Sequence, residues 1–319
     1  MSEAILVLLR HPEEARSLLG AAAGLAETMG GARVNTLAVC ETDRIAPSFS
    51  ATLAERAAAL LDAKEEEHER VVALRGLCDA WTARAVRPTT DLHWFEAEGS
   101  TTDIVTHWGR RADVIVAGRP SPGDWLGQQM FKSALLGTDR PVLMVPLEPA
   151  VPATGAASGR SDEPMAPSGA ALPEMRAASG RPGDLMVPQE PALPEMSAGF
   201  GGSIAIAWRD EKQTLRAVLP ALRWLTSARE VHVLVGVHDT AQSPELPPVL
   251  MEHGVRANLH VLSLDRSPFG QTLLAVAHDL GVDLLVMGAY VHSPLRGLIF
   301  GGVTRHMLAA ADLPVLMRH

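Results

Sequence analysis

Ala112-Asp113-Val114-Ile115-Val116-Ala117-Gly118 is followed, after a loop and a helical stretch, by Arg140-Pro141-Val142-Leu143-Met144-Val145-Pro146. Val282-Asp283-Leu284-Leu285-Val286-Met287-Gly288 is followed in the same way by Leu313-Pro314-Val315-Leu316-Met317. Each run is short and almost wholly apolar, as expected of a parallel strand buried on both faces and joined to its neighbour by a crossover helix. The same unit occurs twice, so the chain reads as a duplication.

Outward from these runs, strands are predicted near 4–9, 33–40, 91–96, 113–118 and 141–145, and again near 203–208, 230–237, 258–264, 283–288 and 314–317. Helices fill the gaps. The longest is expected over 52–81, and the one before Asn258 is shortened, with Pro244, Pro247 and Pro248 opening it. The predicted fold class is α/β, with two doubly wound, Rossmann-like, five-stranded parallel-sheet domains at 1–147 and 201–319. Between them, 148–200 has no aromatic residue apart from Phe200 at its end and is crowded with Pro, Ala, Gly and Ser. Ala150-Val151-Pro152 recurs there as Ala171-Leu172-Pro173 and Ala192-Leu193-Pro194, a slipped duplication with little to bury, so a disordered linker is expected.

A length of 319 residues suits two domains, and 47% hydrophobic residues are enough for two cores. The net charge of -9, with only Lys64, Lys132 and Lys212 as lysines, supplies no polybasic tract, so nucleic acid is not expected as a partner. Cys40 and Cys78 form neither a disulfide framework nor a zinc pattern, and no apolar run reaches membrane-spanning length. A cytoplasmic protein without membrane partners or a metal is therefore expected. Residues 201–319 hold 10 basic and 10 acidic side chains, so this half repels an anionic ligand least.

In a doubly wound sheet the ligand crevice lies beyond the carboxyl ends of the strands, here around Trp208–Asp210, Val237–His238 and from Gly288 onward. The last of these continues Gly288-Ala289-Tyr290-Val291-His292 and, after a loop, reaches Phe300-Gly301-Gly302-Val303-Thr304-Arg305-His306. A glycine pair opening a helix offers unpaired amides and the positive dipole end to a phosphate, with Arg296 and Arg305 nearby as added charge. A plain turn is an equally good reading of the same glycines.

These segments resemble the universal stress protein (UspA-like) family, whose nucleotide-binding members carry Gly-x-x-Gly, nine residues, then Gly-Ser or Gly-Thr at this point. The resemblance covers both halves, and the closing stretch from Gly301 to Met317 is similar to the tandem bacterial members. It implies an adenine nucleotide alpha hydrolase-like fold, a role in stress response and survival, and ATP as the candidate ligand of the second half. Gly288, Gly301, Gly302 and Val303 would then offer backbone groups to phosphates, Asp210 would face the ribose and Val237 would line the adenine slot. Here Val291 stands at the second glycine position, Gly302 at the hydroxyl position and Arg209 at the acidic position after the first strand. The first half departs further after Gly118, and no nucleotide is expected there. The alternative is an interaction or scaffold module of the same fold that binds no nucleotide.

Common catalytic signatures are absent: no Gly-x-x-x-x-Gly-Lys, Gly-x-Gly-x-x-Gly, Gly-x-Ser-x-Gly or His-Glu-x-x-His occurs. Binding without turnover is expected; a slow ATPase is a weaker third reading, with no base placed beside the phosphate loop. Glu65-Glu66-Glu67-His68-Glu69-Arg70 reads as a solvated helix face, and His292 and His306 as surface or structural histidines. Tyr290 is suited either to stack on a base or to pack in the loop, and Trp208 reads as core. The terminal strands 141–145 and 314–317 are apolar edges that invite pairing. Pairing of the two halves as an intramolecular pseudo-dimer is the simplest outcome; a homodimer between chains is the other.

Overall fold

The computed structural model describes residues 3–40, 53–84, 91–146, 201–239, 244–264, 268–292 and 299–319, so the expected linker and Arg296 lie outside the described residues. The first half runs β1 (Ala4–Leu9), α1 (Pro12–Thr28), β2 (Arg33–Cys40), α2 (Leu53–Arg84), β3 (Leu92–Glu98), α3 (Thr101–Gly109), β4 (Val114–Gly118), α4 (Trp125–Gly137) and β5 (Val142–Val145). The second runs β6 (Ser203–Trp208), α5 (Lys212–Leu225), β7 (Glu230–Val237), α6 (Pro248–Glu252), β8 (Asn258–Ser263), α7 (Phe269–Asp279) and β9 (Leu284–Gly288). A hairpin of β10 (Val291–His292) and β11 (Ile299–Phe300) follows, then α8 (Gly302–Ala310) and β12 (Val315–Arg318).

Every residue of β1, β4, β5 and β9 is buried, which is why these strands read as unbroken apolar runs. The side chains alternate between two cores. Ile5, Val7 and Leu9 pack with α1 and α2, while Leu6 and Leu8 pack with α3 and α4. The second half repeats this division, with α5 and α6 on one face and α7 and α8 on the other. The aspartate in each opening motif ties its sheet together. Asp113 accepts a hydrogen bond from the Ala4 N–H at 2.9 Å, and Asp283 accepts from the amides of Gly201, Gly202 and Ser203 at 2.9, 2.9 and 3.0 Å.

The two five-stranded parallel halves expected from the sequence are not discrete sheets: as the expected pairing of their terminal edges requires, they are joined in one ten-stranded sheet, β3-β2-β1-β4-β5-β12-β9-β6-β7-β8. Its middle is the antiparallel pairing of Val142, Leu143 and Met144 with Met317, Leu316 and Val315. The physical reason is the apolar edge: each terminal strand has one side without a partner in its own half, and the other half supplies it. This pairing also uses the edge on which a homodimer through the same strands would depend. The register puts Leu143 and Leu316 in one core and Val142, Met144, Val315 and Met317 in the other, so both cores run across the seam. Among the described residues no helix is long and apolar enough to cross a membrane.

Glu65, Glu66, His68 and Glu69 are exposed on α2, as expected of a solvated face. Arg70 does more than pair with Glu67 at 2.6 Å. It donates to the carbonyls of Arg10 and Val39 at 2.5 and 2.8 Å, fixing α2 to the carboxyl ends of β1 and β2.

Leu143→Ala and Leu316→Ala should each cost about 2–5 kcal/mol in urea unfolding, because both side chains are fully buried. As direct cross-strand neighbours they should couple, so the double variant should depart from additivity by about 0.5–3 kcal/mol. Strict additivity would contradict the seam.

Candidate functional site

In each half the strand order reverses beside the first strand, so the switch-point crevices lie at the carboxyl ends of β1 and β4 and of β6 and β9. The sheet registers make the two superimposable in sequence. Ile5 pairs with Val114 as Ile204 pairs with Leu284, so Arg10 corresponds to Arg209, Glu14 to Gln213 and Gly118 to Gly288. The glycine ending the fourth strand has a packing role in both. A Cβ on Gly288 would stand 2.8 Å from the backbone of Gln213 and Thr214, and one on Gly118 would stand 2.8 Å from the Glu14 carboxylate. At Gly288 only glycine lets the backbone of α5 come that close; at Gly118 it leaves room for the buried carboxylate.

The first crevice is filled from within. The Arg10 side chain is only 3% exposed and pairs with Glu14 at 2.6 Å and Asp124 at 2.5 Å, while donating to the Arg119 carbonyl at 2.8 Å. Asp124 serves twice, since its other oxygen caps α4 by accepting from the Gly127 N–H at 2.9 Å. Any side chain at Gly127 would collide with the guanidinium. Burial pushes the Glu14 carboxyl up against the opposing pull of Arg10. His11, Glu14 and Asp124 bring three ligand atoms within 4.8 Å of one another, a spacing that suits a metal ion. The Arg10 guanidinium is the cation these carboxylates already hold.

The second crevice is built on the same frame with different side chains. Arg209 points outward, 67% exposed and paired with Glu211 at 2.6 Å. Its guanidinium lies 5.4 Å from the centre of the Tyr290 ring. The Tyr290 hydroxyl shares a hydrogen bond of 2.7 Å with Thr214 on α5, so the ring crosses from the end of β9 towards the helix that follows β6. Burial raises the Tyr290 phenol above its ordinary range. The backbone of Tyr290 is held as well: its N–H donates to Thr304 at 3.2 Å, and its carbonyl accepts from the Gly301 N–H at 2.8 Å.

The six residues singled out in the sequence all fall on this one edge of the sheet. Gly301 is the N-cap of α8, without a side-chain cap, and Gly302 is exposed, with none of the described residues where a side chain would be. Val303, the second residue of α8, turns its side chain towards the core. Val237 is buried at the end of β7, its carbonyl accepting from the Leu264 N–H at 3.0 Å, and Asp210 is exposed just past β6. At the start of α8 the described residues fit a phosphate group: uncapped, glycine-lined and open. At the sugar end Tyr290 crosses the crevice, so a nucleoside would have to stack on that ring or displace it. Trp208 is half-buried against the core, as expected. His306 packs against Gly270, where a Cβ would approach it to 2.7 Å.

Sequence reasoning missed the Tyr290–Thr214 link and the Arg10 network. A signal for the second was present, because an arginine directly follows the first strand in both halves.

Residues 254–319 match the family model of the universal stress protein family. No curated protein matches the chain. Among solved structures, a universal stress protein from Archaeoglobus fulgidus is similar at 13% identity and TM-score 0.58, covering 100% of this chain and 96% of that one. A functionally unknown protein from Pseudomonas aeruginosa is similar at 14% identity and TM-score 0.50, covering 99% and 92%. A candidate universal stress protein from the same species is similar at 15% identity and TM-score 0.51, covering 99% and 93%. At these identities the likeness is one of fold.

Arg10→Met would leave Glu14 and Asp124 buried without their cation and should cost about 3–5 kcal/mol in urea unfolding. The corresponding Arg209→Met, at an exposed ion pair, should change stability by less than about 1 kcal/mol. Equal effects would contradict the contrast between the crevices. With its C-terminal segment, residues 254–319, matching that family and its described strands arranged as in the similar solved structures, the chain carries the UspA-like universal stress protein fold as a tandem of two halves in one sheet.

Proposed function

We propose that this chain acts in the stress response as a cytoplasmic binding protein without turnover, taking an adenine nucleotide in the second crevice and none in the first. The observation that carries this reading is the asymmetry of the two switch points. One is filled by a buried arginine held by two carboxylates, while the other opens on a helix start with space beside Gly302. In this reading the backbone amides of Gly302 and Val303 hold the phosphates, the Gly301 amide being held by the Tyr290 carbonyl so that Gly301 serves as the uncapped turn into the helix, and Gly288 lets β9 and α5 close around them. Asp210 faces the ribose, and Val237 lines the adenine slot. ATP supplies the polyphosphate charge that such a helix start attracts.

A second reading has its own support. Tyr290 joins the two sides of the second crevice through Thr214, as Arg10 joins those of the first, which suits an interaction module with both crevices closed.

Calorimetry of the full chain against ATP, ADP and AMP separates the two readings. Binding is expected, and Gly302→Val, which places a side chain in the open space, should weaken it by tenfold or more while Arg10→Met leaves the affinity unchanged. If millimolar ATP produces no heat with either the native chain or Tyr290→Ala, the nucleotide reading fails and the interaction module stands.

A further inference from the structure

A second feature of the seam belongs to neither crevice. Beside the β5–β12 pairing is a cavity of about 730 Å³ whose charged lining, among the described residues, is Arg110 and Arg140 from the first half, Arg216 and Arg318 from the second, and one carboxylate side chain, Asp139. His319 completes the rim. The carboxyl-terminal turn of α4 forms one wall, and its dipole adds roughly half a negative charge. Four guanidinium groups still outweigh that and Asp139 together.

The arginines are positioned by their neighbours, with donors left over. Arg110 donates through Nε to the Gly137 carbonyl at 3.1 Å, Arg140 to the Arg110 carbonyl at 2.8 Å and Arg318 to the Arg216 carbonyl at 3.2 Å. Each guanidinium carries five N–H donors, so these bonds occupy a minority of them. Nε of Arg318 is buried and has no hydrogen-bond partner among the described residues. Asp139 adopts φ 59°, and among the described residues it is the one non-glycine with a positive φ. Its carboxylate is bonded to Arg216 and Arg318. One carboxylate therefore bridges two arginines of the second half, while Arg110 and Arg140 approach from the first.

Among the described residues the lining has no tryptophan, tyrosine or phenylalanine on which a base might stack. The chemistry suits a compact anion with several charges, whose oxygens accept from guanidinium forks. We propose that the seam cavity is a binding site for a small polyphosphate anion, which clamps the two halves by bridging Arg110 and Arg140 to Arg216 and Arg318.

The test is titration calorimetry and thermal unfolding of the full chain with tripolyphosphate, pyrophosphate and orthophosphate at about 0.1 M salt, where exposed charges are already screened. Saturable binding of one tripolyphosphate and a raised Tm are expected, weakening in the order of ligand charge. Arg140→Gln and Arg216→Gln, one from each half, should each lower the affinity by tenfold or more, and Arg216→Lys should restore part of it. Arg256→Gln, an exposed arginine elsewhere, should have no effect. Absence of tripolyphosphate binding, or binding indifferent to both glutamine variants, would overturn the proposal. Because ATP also carries a triphosphate, ATP binding lost in the seam variants but kept in Gly302→Val belongs to this cavity. Loss in Gly302→Val alone belongs to the crevice and leaves the seam to be judged on tripolyphosphate.

Discussion

An apolar strand with one unsatisfied edge must find a partner, and in this chain two such strands find each other. β5 and β12 are buried on both faces, and their remaining backbone donors and acceptors would otherwise meet water or another chain. Their antiparallel pairing turns two parallel half-sheets into one sheet with two continuous cores. It also fixes where the remaining chemistry lies. The switch-point crevices fall on either side of the pairing, one per half, and the arginines of both halves are brought to one cavity beside it.

The duplicated frame shows how one backbone accommodates opposite electrostatic solutions. At the same position after the first strand, Arg10 is buried and Arg209 exposed. The difference lies in what each arginine meets. Glu14 and Asp124 compensate a desolvated guanidinium in the first half, whereas Gln213 replaces Glu14 in the second and offers no charge. Arg209 therefore stays in solvent, and the half-buried Tyr290 ring takes the inner position. The glycines at Gly118 and Gly288 make room in different ways: the α5 backbone at Gln213 and Thr214 stands where a Cβ of Gly288 would be, whereas at Gly118 the space is taken by the Glu14 carboxylate and the Arg10 guanidinium.

Much of this was legible in the sequence because buried parallel strands announce themselves as apolar runs. Strands such as Ala4–Leu9, Arg33–Cys40, Ser203–Trp208 and Glu230–Val237 lie where periodicity places them, and the pairing of terminal edges follows from their composition. What remained hidden depends on distance rather than pattern. Arg10 meets Asp124 across the sheet's end, and Arg70 reaches Val39 from another helix; no local spacing encodes either contact. The β10–β11 hairpin is too short to show a period. The glycine motif reads as a strand end and a helix start, but the bond from Tyr290 to Thr214 depends on a rotamer that sequence does not disclose. The seam cavity was missed because its four arginines are scattered between positions 110 and 318 and converge only when the halves join.

Hydrogen exchange resolved by peptide on the full-length chain tests the pairing most directly. If β5 and β12 form the middle of one sheet, the amides of Val142–Val145 and Val315–Arg318 should exchange as slowly as those of β1 and β6 and open together with them. Fast, edge-like exchange in both terminal strands, with β1 and β6 still protected, would show that the halves do not share a sheet.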